Sequence, residues 1–534
     1  MGTTLQDADR WPFSHELSAL PGRIGDLPRR WAVEAPDAPA LSDHGVTLSY
    51  GQLVEAFTVV AEVLREKGVR AGDRVMVVGE NCLAQVVLLL AASELDAWFV
   101  VVNARLSARE IDAIRDNCGA RRVLYTVGAS ADARAHAQRH GATAIDLGVA
   151  GQVAIGPLNA DTQAEPVHAA GEGQVAALVY TTGTTGDPKG VMLTHRNLLF
   201  VATHSARLRR LGPGDCAYGV LPISHVFGLT SVLLGTLGAG ACLVLEARYT
   251  PEKLADALAR QGISMLQGVP AMYARLLEWI DAGGKMAAPQ LRFMYAGGSP
   301  LDATLKARTE ALFGLTLHNG YGLTESAPTV CHTRVEEPRG DCSVGTPLPG
   351  VEVRLLAPGG GEVKPGQPGE LHVRGPNVMK GYYRNPELTR SVLSEDGWLD
   401  TGDLARQDPD GALFIVGRTR ELIIRSGFNV YPAEVEAVLN SHPGVVQSAV
   451  VGREVPGNEE VVAFVEVAPG DPVTPEALIA FASERLAAYK RPCEIVILPA
   501  LPAAATGKIL KAGLKEMAKQ GRGAVPGRGK ISEA

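Results

Sequence analysis

One segment, YTTGTTGDPKG at residues 180–190, combines the residue types that bind phosphate groups. Glycines let backbone N–H groups close around phosphate oxygens, threonines add neutral donors, and Lys189 supplies a positive charge. The segment follows the strand-like ALVYTT and precedes a helix that Thr194 is placed to cap. We therefore predict a phosphate-binding loop containing Thr181, Thr182, Gly183, Thr184, Thr185, Gly186 and Lys189.

This loop differs from the P-loop of kinases and GTPases. Lys189 follows Asp187 and Pro188 instead of a glycine, and Gly190 stands where the magnesium-binding Ser or Thr would be. The alternative is a flexible surface linker, but linkers seldom combine this density of donors with a lysine after a β-branched strand. The sequence therefore disfavours both a P-loop enzyme and a linker.

Further segments carry groups that nucleotide chemistry requires. NGYGLTES at 319–326 offers an aromatic ring that can stack on a base, and Glu325, a carboxylate suited to a hard cation. GWLDTGD ends in Asp403, whose carboxylate can accept two hydrogen bonds from a diol. TGKI contains Lys508, whose ammonium group could stabilise two anions brought together. Taken singly, each segment also fits a turn or a solvated side chain.

Taken together and in this order, the segments resemble the motifs of the adenylate-forming superfamily of acyl- and aryl-CoA synthetases, adenylation domains and luciferases. The resemblance runs from about residue 49 to residue 510. It implies ATP, Mg²⁺ and coenzyme A as cofactors. It also implies nucleotide contacts from the segments MYAGGSPL, NGYGLTES, TGD and GRTR, namely Gly297, Gly298, Ser299, Asn319, Gly320, Tyr321, Gly322, Thr324, Asp403 and Arg418.

The resemblance also implies individual roles within the nucleotide site. Tyr321 would lie near the base, Thr324 would meet the α-phosphate and Glu325 would hold Mg²⁺. Asp403 would bind the ribose hydroxyls, with Arg418 beside it.

The segment GRTRELIIRSGFNVYPAEVE resembles the hinge of the superfamily, with Arg420 at the pivot. Many relatives have Asp or Lys there, so Arg420 is a departure that leaves the hinge plausible. By the same resemblance, Ser426, Gly427 and Phe428 would enter the pantetheine tunnel after a domain rotation. Lys508 would reach the carboxylate and the α-phosphate during adenylation.

The acid pocket is the least defined part of the site. LPISHVFG places His225 and Phe227 where relatives put residues beside the acyl carboxylate, although His225 also fits a core histidine. Malonate-activating relatives carry a cationic residue just before YGxTE, where this chain has Asn319 and Gly320. With Gly228, Gly320, Ala327 and Pro328 nearby, we predict an uncharged, roomy pocket for a fatty or aryl acid, and not for a dicarboxylate.

Composition limits the class of protein. The 534 residues carry a net charge of −7, which argues against nucleic acid as a partner. The seven cysteines form no C-x-x-C pair, so neither a disulfide framework nor a zinc site is indicated.

The N-terminal residues do not read as a secretory signal, so we expect a cytoplasmic protein. The uncharged run 226–245 has the length of a membrane span, but its four glycines favour a buried helix, a turn and a strand, so no transmembrane span is expected.

Alternating strand-like and helix-like segments predict α/β layers, with parallel sheets covered by helices. Ser49 and Gln52 have capping-box spacing ahead of an amphipathic helix. We predict a large N-terminal domain over residues 1–417 with a small β-rich subdomain at about 330–417. A small mobile α+β domain would follow at 418–534, with a hinge near residue 420 and a flexible tail from about 519.

The resulting hypothesis is an ATP-dependent acid:CoA ligase. Lys189, Thr185 and the rest of the loop would hold the leaving phosphates, Lys508 would act at the attacked phosphate, and His225 would lie beside the carboxylate. One alternative is an acyl-AMP ligase that delivers the acyl group to a carrier-protein thiol or, as in luciferases, to oxygen. Another is a nucleotide-binding scaffold without chemistry. A monomer and a homodimer both stay open.

Overall fold

The computed structural model describes residues 17–182, 188–357, 359–426, 428–467, 472–503 and 509–520. Six residues with predicted roles lie outside the described residues, as does the side chain of Thr182; the six are Gly183, Thr184, Thr185, Gly186, Gly427 and Lys508. Within the described ranges, no helix is both long and apolar enough to cross a membrane.

Two large sheets form the core of the N-terminal part. Their strands, up to the last one before the β-rich region, are β1 (Pro39–Asp43), β2 (Val46–Ser49), β3 (Arg74–Gly79), β4 (Trp98–Asn103), β5 (Arg122–Tyr125), β6 (Thr143–Asp146), β7 (Gln152–Ile155), β8 (Val175–Thr182), β9 (Pro188–Thr194), β10 (Cys216–Gly219), β11 (Cys242–Leu245), β12 (Met265–Gly268), β13 (Phe293–Ala296), β14 (Leu317–Gly322), β15 (Thr329–His332) and β16 (Thr346–Pro347). One sheet has the order β16-β15-β14-β13-β12-β10-β11-β1-β2, with a parallel centre and antiparallel ends. The other contains β9-β8-β4-β3-β5-β7-β6, and β3, β4, β5 and β8 are parallel. The predicted α/β architecture is confirmed.

Helices cover these sheets. They are α1 (Asp26–Glu34), α2 (Tyr50–Glu66), α3 (Leu83–Glu94), α4 (Ala108–Cys118), α5 (Ala131–Arg139), α6 (His195–Leu208), α7 (Gly235–Gly238), α8 (Pro251–Arg260), α9 (Pro270–Asp281) and α10 (Ala303–Phe313), with a π-helix over Phe227–Leu234. The capping box of Ser49 and Gln52 is present at the start of α2, and the apolar stripe of that helix is buried. The uncharged run 226–245 forms the π-helix, α7 and β11, as predicted.

A smaller sheet follows, with the order β17-β18-β20-β21. In this region the elements are β17 (Glu352–Leu356), β18 (Gly369–Arg374), β19 (Gly381–Tyr382), α11 (Pro386–Val392), β20 (Leu399–Gln407) and β21 (Leu413–Arg418). This sheet starts at Glu352, because residues 329–332 and 346–347 pair with β14 and with each other in the large sheet. Strand β19 also leaves it, since Gly381 and Tyr382 pair with β9. The segment that the sequence assigned wholly to the β subdomain is thus divided among three sheets.

The C-terminal part has its own core. Its elements are β22 (Ile423–Arg425), β23 (Phe428–Val430), α12 (Pro432–Asn440), β24 (Val445–Val455), β25 (Asn458–Val467), α13 (Pro475–Arg485), β26 (Glu494–Leu498) and α14 (Lys511–Gln520). Helices α12 and α13 pack on the sheet β24-β25-β26 around Val435, Leu439, Val461 and Leu478. Helix α14 extends through Gln520, just past the start predicted for the tail.

The predicted phosphate loop lies between two hydrogen-bonded strands. Strands β8 and β9 are antiparallel, and Thr181 is paired with Lys189 and Thr182 with Pro188. Helix α6 starts only after β9, where the Thr194 hydroxyl accepts from the Asn197 backbone N–H and the Asn197 side chain accepts in return. The predicted cap at Thr194 is confirmed, whereas the sequence did not predict the strand between the loop and the helix.

Candidate active site

The nucleotide motifs meet at one edge of the larger sheet. Strands β13 and β14 are parallel neighbours, with Ala296 opposite Asn319. The residues just beyond β13, Gly297 to Ser299, therefore lie beside the end of β14, which carries Gly320, Tyr321 and Gly322. The carboxyl edge of parallel strands is the usual ligand-binding edge of α/β sheets. An added Cβ at Gly298 would meet only one atom, at 3.6 Å, so space is open there.

Asp403 is the centre of a hydrogen-bonded group at this edge. Its carboxylate accepts from the Tyr321 hydroxyl at 2.5 Å and lies 3.1 Å from Arg418 Nε. The antiparallel register of β20 and β21 places Asp403 directly opposite Arg418. Burial and then Asp403 raise the pKa of Tyr321 well above its ordinary value, so the phenol stays protonated and donates. Burial opposes protonation of Arg418, but nearby carboxylates outweigh it and raise the pKa of Arg418.

Glu325 lies in the short 3₁₀ turn Thr324–Ser326 after β14. The Tyr382 hydroxyl donates to Glu325 Oε1 at 2.7 Å, and the Met379 backbone N–H donates to its carbonyl at 2.8 Å. Burial and then Glu325 raise the pKa of Tyr382, so this hydroxyl also remains a donor. Among the described residues no group of three or more His, Cys, Asp and Glu could hold a metal ion. A single carboxylate fits Mg²⁺ that takes most of its oxygens from phosphates and water.

The acid pocket in the structure differs from the pocket that the sequence predicts. His225 and Phe227 flank the start of the π-helix, where His225 Nδ1 accepts from the Phe227 backbone N–H at 3.3 Å. An added Cβ at Gly228 would lie 2.2 Å from the Pro222 carbonyl oxygen, and one at Gly320 would lie 2.0 Å from the Tyr295 hydroxyl. Other groups of the protein therefore fill the space beside these two glycines. The glycines do not open the roomy pocket that was predicted.

Pro328 also packs closely against this turn. Its carbonyl oxygen accepts from the Leu323 backbone N–H at 3.0 Å, and an added Cβ at Gly322 would lie 2.0 Å from the same oxygen. Thus Pro328 and Gly322 fix the course of the chain around Thr324 and Glu325.

Asn319 uses its side chain inside the protein. Its amide donates to the carbonyls of Cys342 and Ser343, at 3.2 and 3.1 Å, and accepts from the Gly320 backbone N–H at 2.9 Å. This amide therefore ties β14 to the chain before β16. The backbone N–H and carbonyl of Asn319 are also paired, with Thr333, so its contact with the nucleotide stays a prediction.

The described C-terminal groups are exposed and lie in turns or, for Phe428, at the start of β23. Ser426 has a positive φ of 53° and its backbone N–H donates to Asn458 Oδ1 at 2.6 Å. Phe428 is 55% exposed and stacks on Tyr489 with ring centroids 4.7 Å apart. Arg420 lies in the 3₁₀ turn Thr419–Glu421, which links β21 to β22. Among the described residues, an ion pair from Arg275 in α9 to Glu466 in β25, at 2.8 Å, joins the two parts of the chain.

Sequence reasoning missed Tyr382 and Tyr295, which contact predicted site residues, and Arg209, which packs on Tyr295. Tyr382 was given no role from the sequence, whereas the structure places its hydroxyl on Glu325. Tyr295 lay beside the glycines of MYAGGSPL and fills the space next to Gly320. Arg209 lay in a basic run at the end of α6 and is fully buried behind Tyr295.

Replacing Asp403 with asparagine tests the ribose assignment. A hydrogen bond to a charged group contributes about 1.5–3 kcal/mol, so we expect the KM for ATP to rise by about 10- to 100-fold with a smaller change in kcat. Steady-state kinetics with varied ATP measure this. The matched control is Asp408→Asn, in the turn between β20 and β21, which should leave ATP dependence unchanged. An unaltered KM for ATP in the Asp403 variant would refute the assignment.

Comparison with known proteins agrees with this geometry. The profile of the AMP-binding enzyme family matches residues 28–383, and that of the AMP-binding enzyme C-terminal domain matches residues 434–508. A feruloyl-CoA synthase of an Amycolatopsis species is 37% identical over 495 residues, which is 91% of this chain and 97% of the relative. ATP-bound MatB from Rhodopseudomonas palustris superposes with a TM-score of 0.80 at 32% identity, covering 93% of this chain and 99% of MatB.

A third similar protein carries both nucleotide and metal. The o-succinylbenzoate CoA synthetase MenE from Bacillus subtilis, solved with ATP and magnesium ion, has a TM-score of 0.77 at 29% identity and covers 92% of this chain and 99% of MenE. Two family profiles thus match the two parts of the fold, and full-length relatives are CoA ligases. The chain therefore belongs to the AMP-binding enzymes of the adenylate-forming superfamily and is an AMP-forming acid–thiol ligase that uses ATP and coenzyme A.

Proposed function

We propose that the protein activates an aryl or fatty carboxylic acid in two half-reactions. In the first, a carboxylate oxygen attacks the α-phosphorus of ATP, and the bond to pyrophosphate breaks to give acyl-AMP. In the second, the thiol sulfur of coenzyme A attacks the acyl carbon, loses its proton, and displaces AMP to give the thioester. The observation that carries the proposal is the meeting of Asp403, Tyr321, Arg418 and Glu325 at one sheet edge.

Each of these side chains has a role in the first half-reaction. Asp403 accepts from the ribose hydroxyls, because a carboxylate can accept from two neighbouring donors. Glu325, oriented by Tyr382, holds Mg²⁺ together with the phosphates of ATP. When bound, this ion would neutralise charge on the departing pyrophosphate. Lys189 and the loop bind the leaving phosphates, and Thr324 meets the α-phosphate. His225 lies beside the carboxylate of the acid.

The second half-reaction requires the C-terminal domain to turn about Arg420. The turn that contains Arg420 lies between the sheet carrying Asp403 and the paired strands β22 and β23; Ser426 follows β22, and Phe428 starts β23. Such a rotation would break the ion pair between half-exposed Arg275 and buried Glu466, whose carboxylate would keep its hydrogen bonds from the Gln447 side chain and the Leu501 backbone N–H. Exposed Phe428, stacked on Tyr489, would then form part of the pantetheine tunnel.

The direct test is coenzyme A-dependent AMP release with Mg·ATP across benzoate, cinnamate and C4, C8, C12 and C16 fatty acids. AMP release that needs both coenzyme A and one class of acid supports the proposal and selects the substrate class. The name of the feruloyl-CoA synthase relative favours starting with the aryl acids. Pyrophosphate release without a thioester would favour a carrier-protein thiol as the acceptor. No release with any acid would contradict both.

A further inference from the structure

Arg209 is a fully buried cation without a carboxylate partner in the described parts of the chain. It follows the last residue of α6 and is 0% exposed. Its Nη1 donates to the Ser231 carbonyl at 3.1 Å and to Gln267 Oε1 at 2.5 Å, and its Nε donates to His332 Nε2 at 3.3 Å. Nη2 is also buried, and it has no hydrogen-bond partner among the described residues. A guanidinium group has five N–H donors, so Nη2 keeps hydrogen-bonding capacity beyond the interaction of Arg209 with the Tyr295 hydroxyl.

The partners of Arg209 place it at the acid pocket. His332 is the register partner of Gly320 across β14 and β15, and the Ser231 carbonyl belongs to the π-helix that starts at Phe227. Gly320 and Phe227 are both predicted pocket residues. Arg209 therefore lies behind the pocket wall and not at a distant core position.

Tyr295 separates Arg209 from the two pocket residues. The Arg209 guanidinium lies 4.9 Å from the centroid of the Tyr295 ring. The same ring meets Phe227 edge to face at 5.7 Å, and its hydroxyl faces Gly320. Burial raises the pKa of Tyr295 to about 12, although Arg209 opposes the rise, so the hydroxyl is neutral and can also donate. One side chain thus stands between the pocket and the buried cation.

Burial without an anion is unfavourable for a guanidinium. Burial lowers the pKa of Arg209 to about 10, which still leaves it charged at neutral pH. His332 and His318 add no positive charge at neutral pH, because burial lowers the pKa of His332 well below its ordinary value and that of His318 to about 4. Replacing unneeded buried ions with apolar residues is often neutral or stabilising. A buried, partly unsatisfied cation beside a substrate pocket is therefore expected to have a ligand.

We propose that Arg209, together with the Tyr295 hydroxyl, binds a second carboxylate at the end of the acid remote from the group that is activated. This inference rests on the proposed function and narrows its substrate to dicarboxylic acids, which the sequence disfavoured. The Nη2 donors and the phenol would converge on the carboxylate oxygens once Tyr295 rotates about its side-chain bonds. The acid would then fill the hydrogen bonds that the protein leaves unmade.

The test compares matched pairs of acids that differ only in the second carboxylate: benzoate and terephthalate, cinnamate and 4-carboxycinnamate, hexanoate and adipate. We expect kcat/KM for coenzyme A-dependent AMP release to favour the dicarboxylic member of at least one pair by about 10- to 100-fold. In Arg209→Met that preference should disappear while activity with the monocarboxylic member changes by less than about threefold. Arg209→Lys, which keeps the charge, should restore part of the preference.

Three results would overturn the inference. The wild-type enzyme could prefer the monocarboxylic member of every pair, a result that does not depend on any variant folding. Arg209→Met could instead keep the wild-type preference, with unchanged or raised Tm, which would leave Arg209 a structural residue. Loss of activity with both members of each pair in Arg209→Met at wild-type Tm would show a general role. The absence of AMP release with every acid in the wild type would contradict the proposed function itself.

Discussion

Replacing Lys508 with alanine is expected to slow acyl-AMP formation by about 10²–10³-fold while largely sparing thioester formation from supplied acyl-AMP. The reason is electrostatic. A carboxylate that attacks ATP brings two anions together, and loss of one preorganised charged group at such a step typically costs this much in rate. In the second half-reaction the attacking group is a thiol and the attacked centre is a carbonyl carbon, so the same charge is not required.

Two assays separate the half-reactions. Single-turnover pyrophosphate release without coenzyme A reports adenylation, and thioester formation from synthetic acyl-AMP and coenzyme A reports the second step. Lys519→Ala is the matched control, because Lys519 pairs with Glu516 at the exposed end of α14. It should retain both activities. An equal loss in both half-reactions of the Lys508 variant would exclude the proposed role.

Replacing Glu325 with glutamine is expected to lower the rate of adenylation by about 10²–10³-fold at limiting Mg²⁺. The substitution keeps the size of the side chain and an oxygen for the Tyr382 hydroxyl, but it removes the negative charge. Metal-assisted charge stabilisation contributes several kcal/mol, and each 1.36 kcal/mol is a factor of ten in rate. Excess Mg²⁺ should recover part of the loss.

The measurement is the rate of pyrophosphate release as Mg²⁺ is varied at fixed ATP. Tyr382→Phe removes only the orienting hydroxyl, so we expect a smaller loss, of at most about tenfold. Exposed Glu387→Gln, in the first turn of α11, controls for a change of net charge. If Glu325→Gln keeps the wild-type Mg²⁺ dependence, Glu325 does not hold the ion.

Local signals in the sequence predicted the local structure well. The capping box of Ser49 and Gln52 and the cap at Thr194 are satisfied within a few residues, so spacing alone reveals them. The glycines of the run 226–245 likewise break a would-be span into shorter elements. Asp403 and Arg418 were assigned from motifs. The β20–β21 register explains why these two residues, which are apart in sequence, lie opposite each other.

The errors concern what lies opposite a residue in space. Gly320 was interpreted as open volume, but spacing cannot show that the Tyr295 hydroxyl from the neighbouring strand fills it. Arg209 lies between Leu208 and Arg210 in a run typical of an exposed helix end, and only the packed structure shows that it is buried. Tyr382 reaches Glu325 because β19 joins the edge of a distant sheet beside β9, a pairing with no local signal.

The hydrogen-bonded strands on either side of the phosphate loop also restrict how this segment can change in length. Strands β8 and β9 are paired in register up to Thr182 and Pro188. Because side chains alternate between the two faces of a strand, deleting one residue from β9 would turn Lys189 to the opposite face. Insertions or deletions in steps of two within the strands would therefore keep the lysine on the same face. Single-residue length changes in β9 should be rare among functional variants of this enzyme.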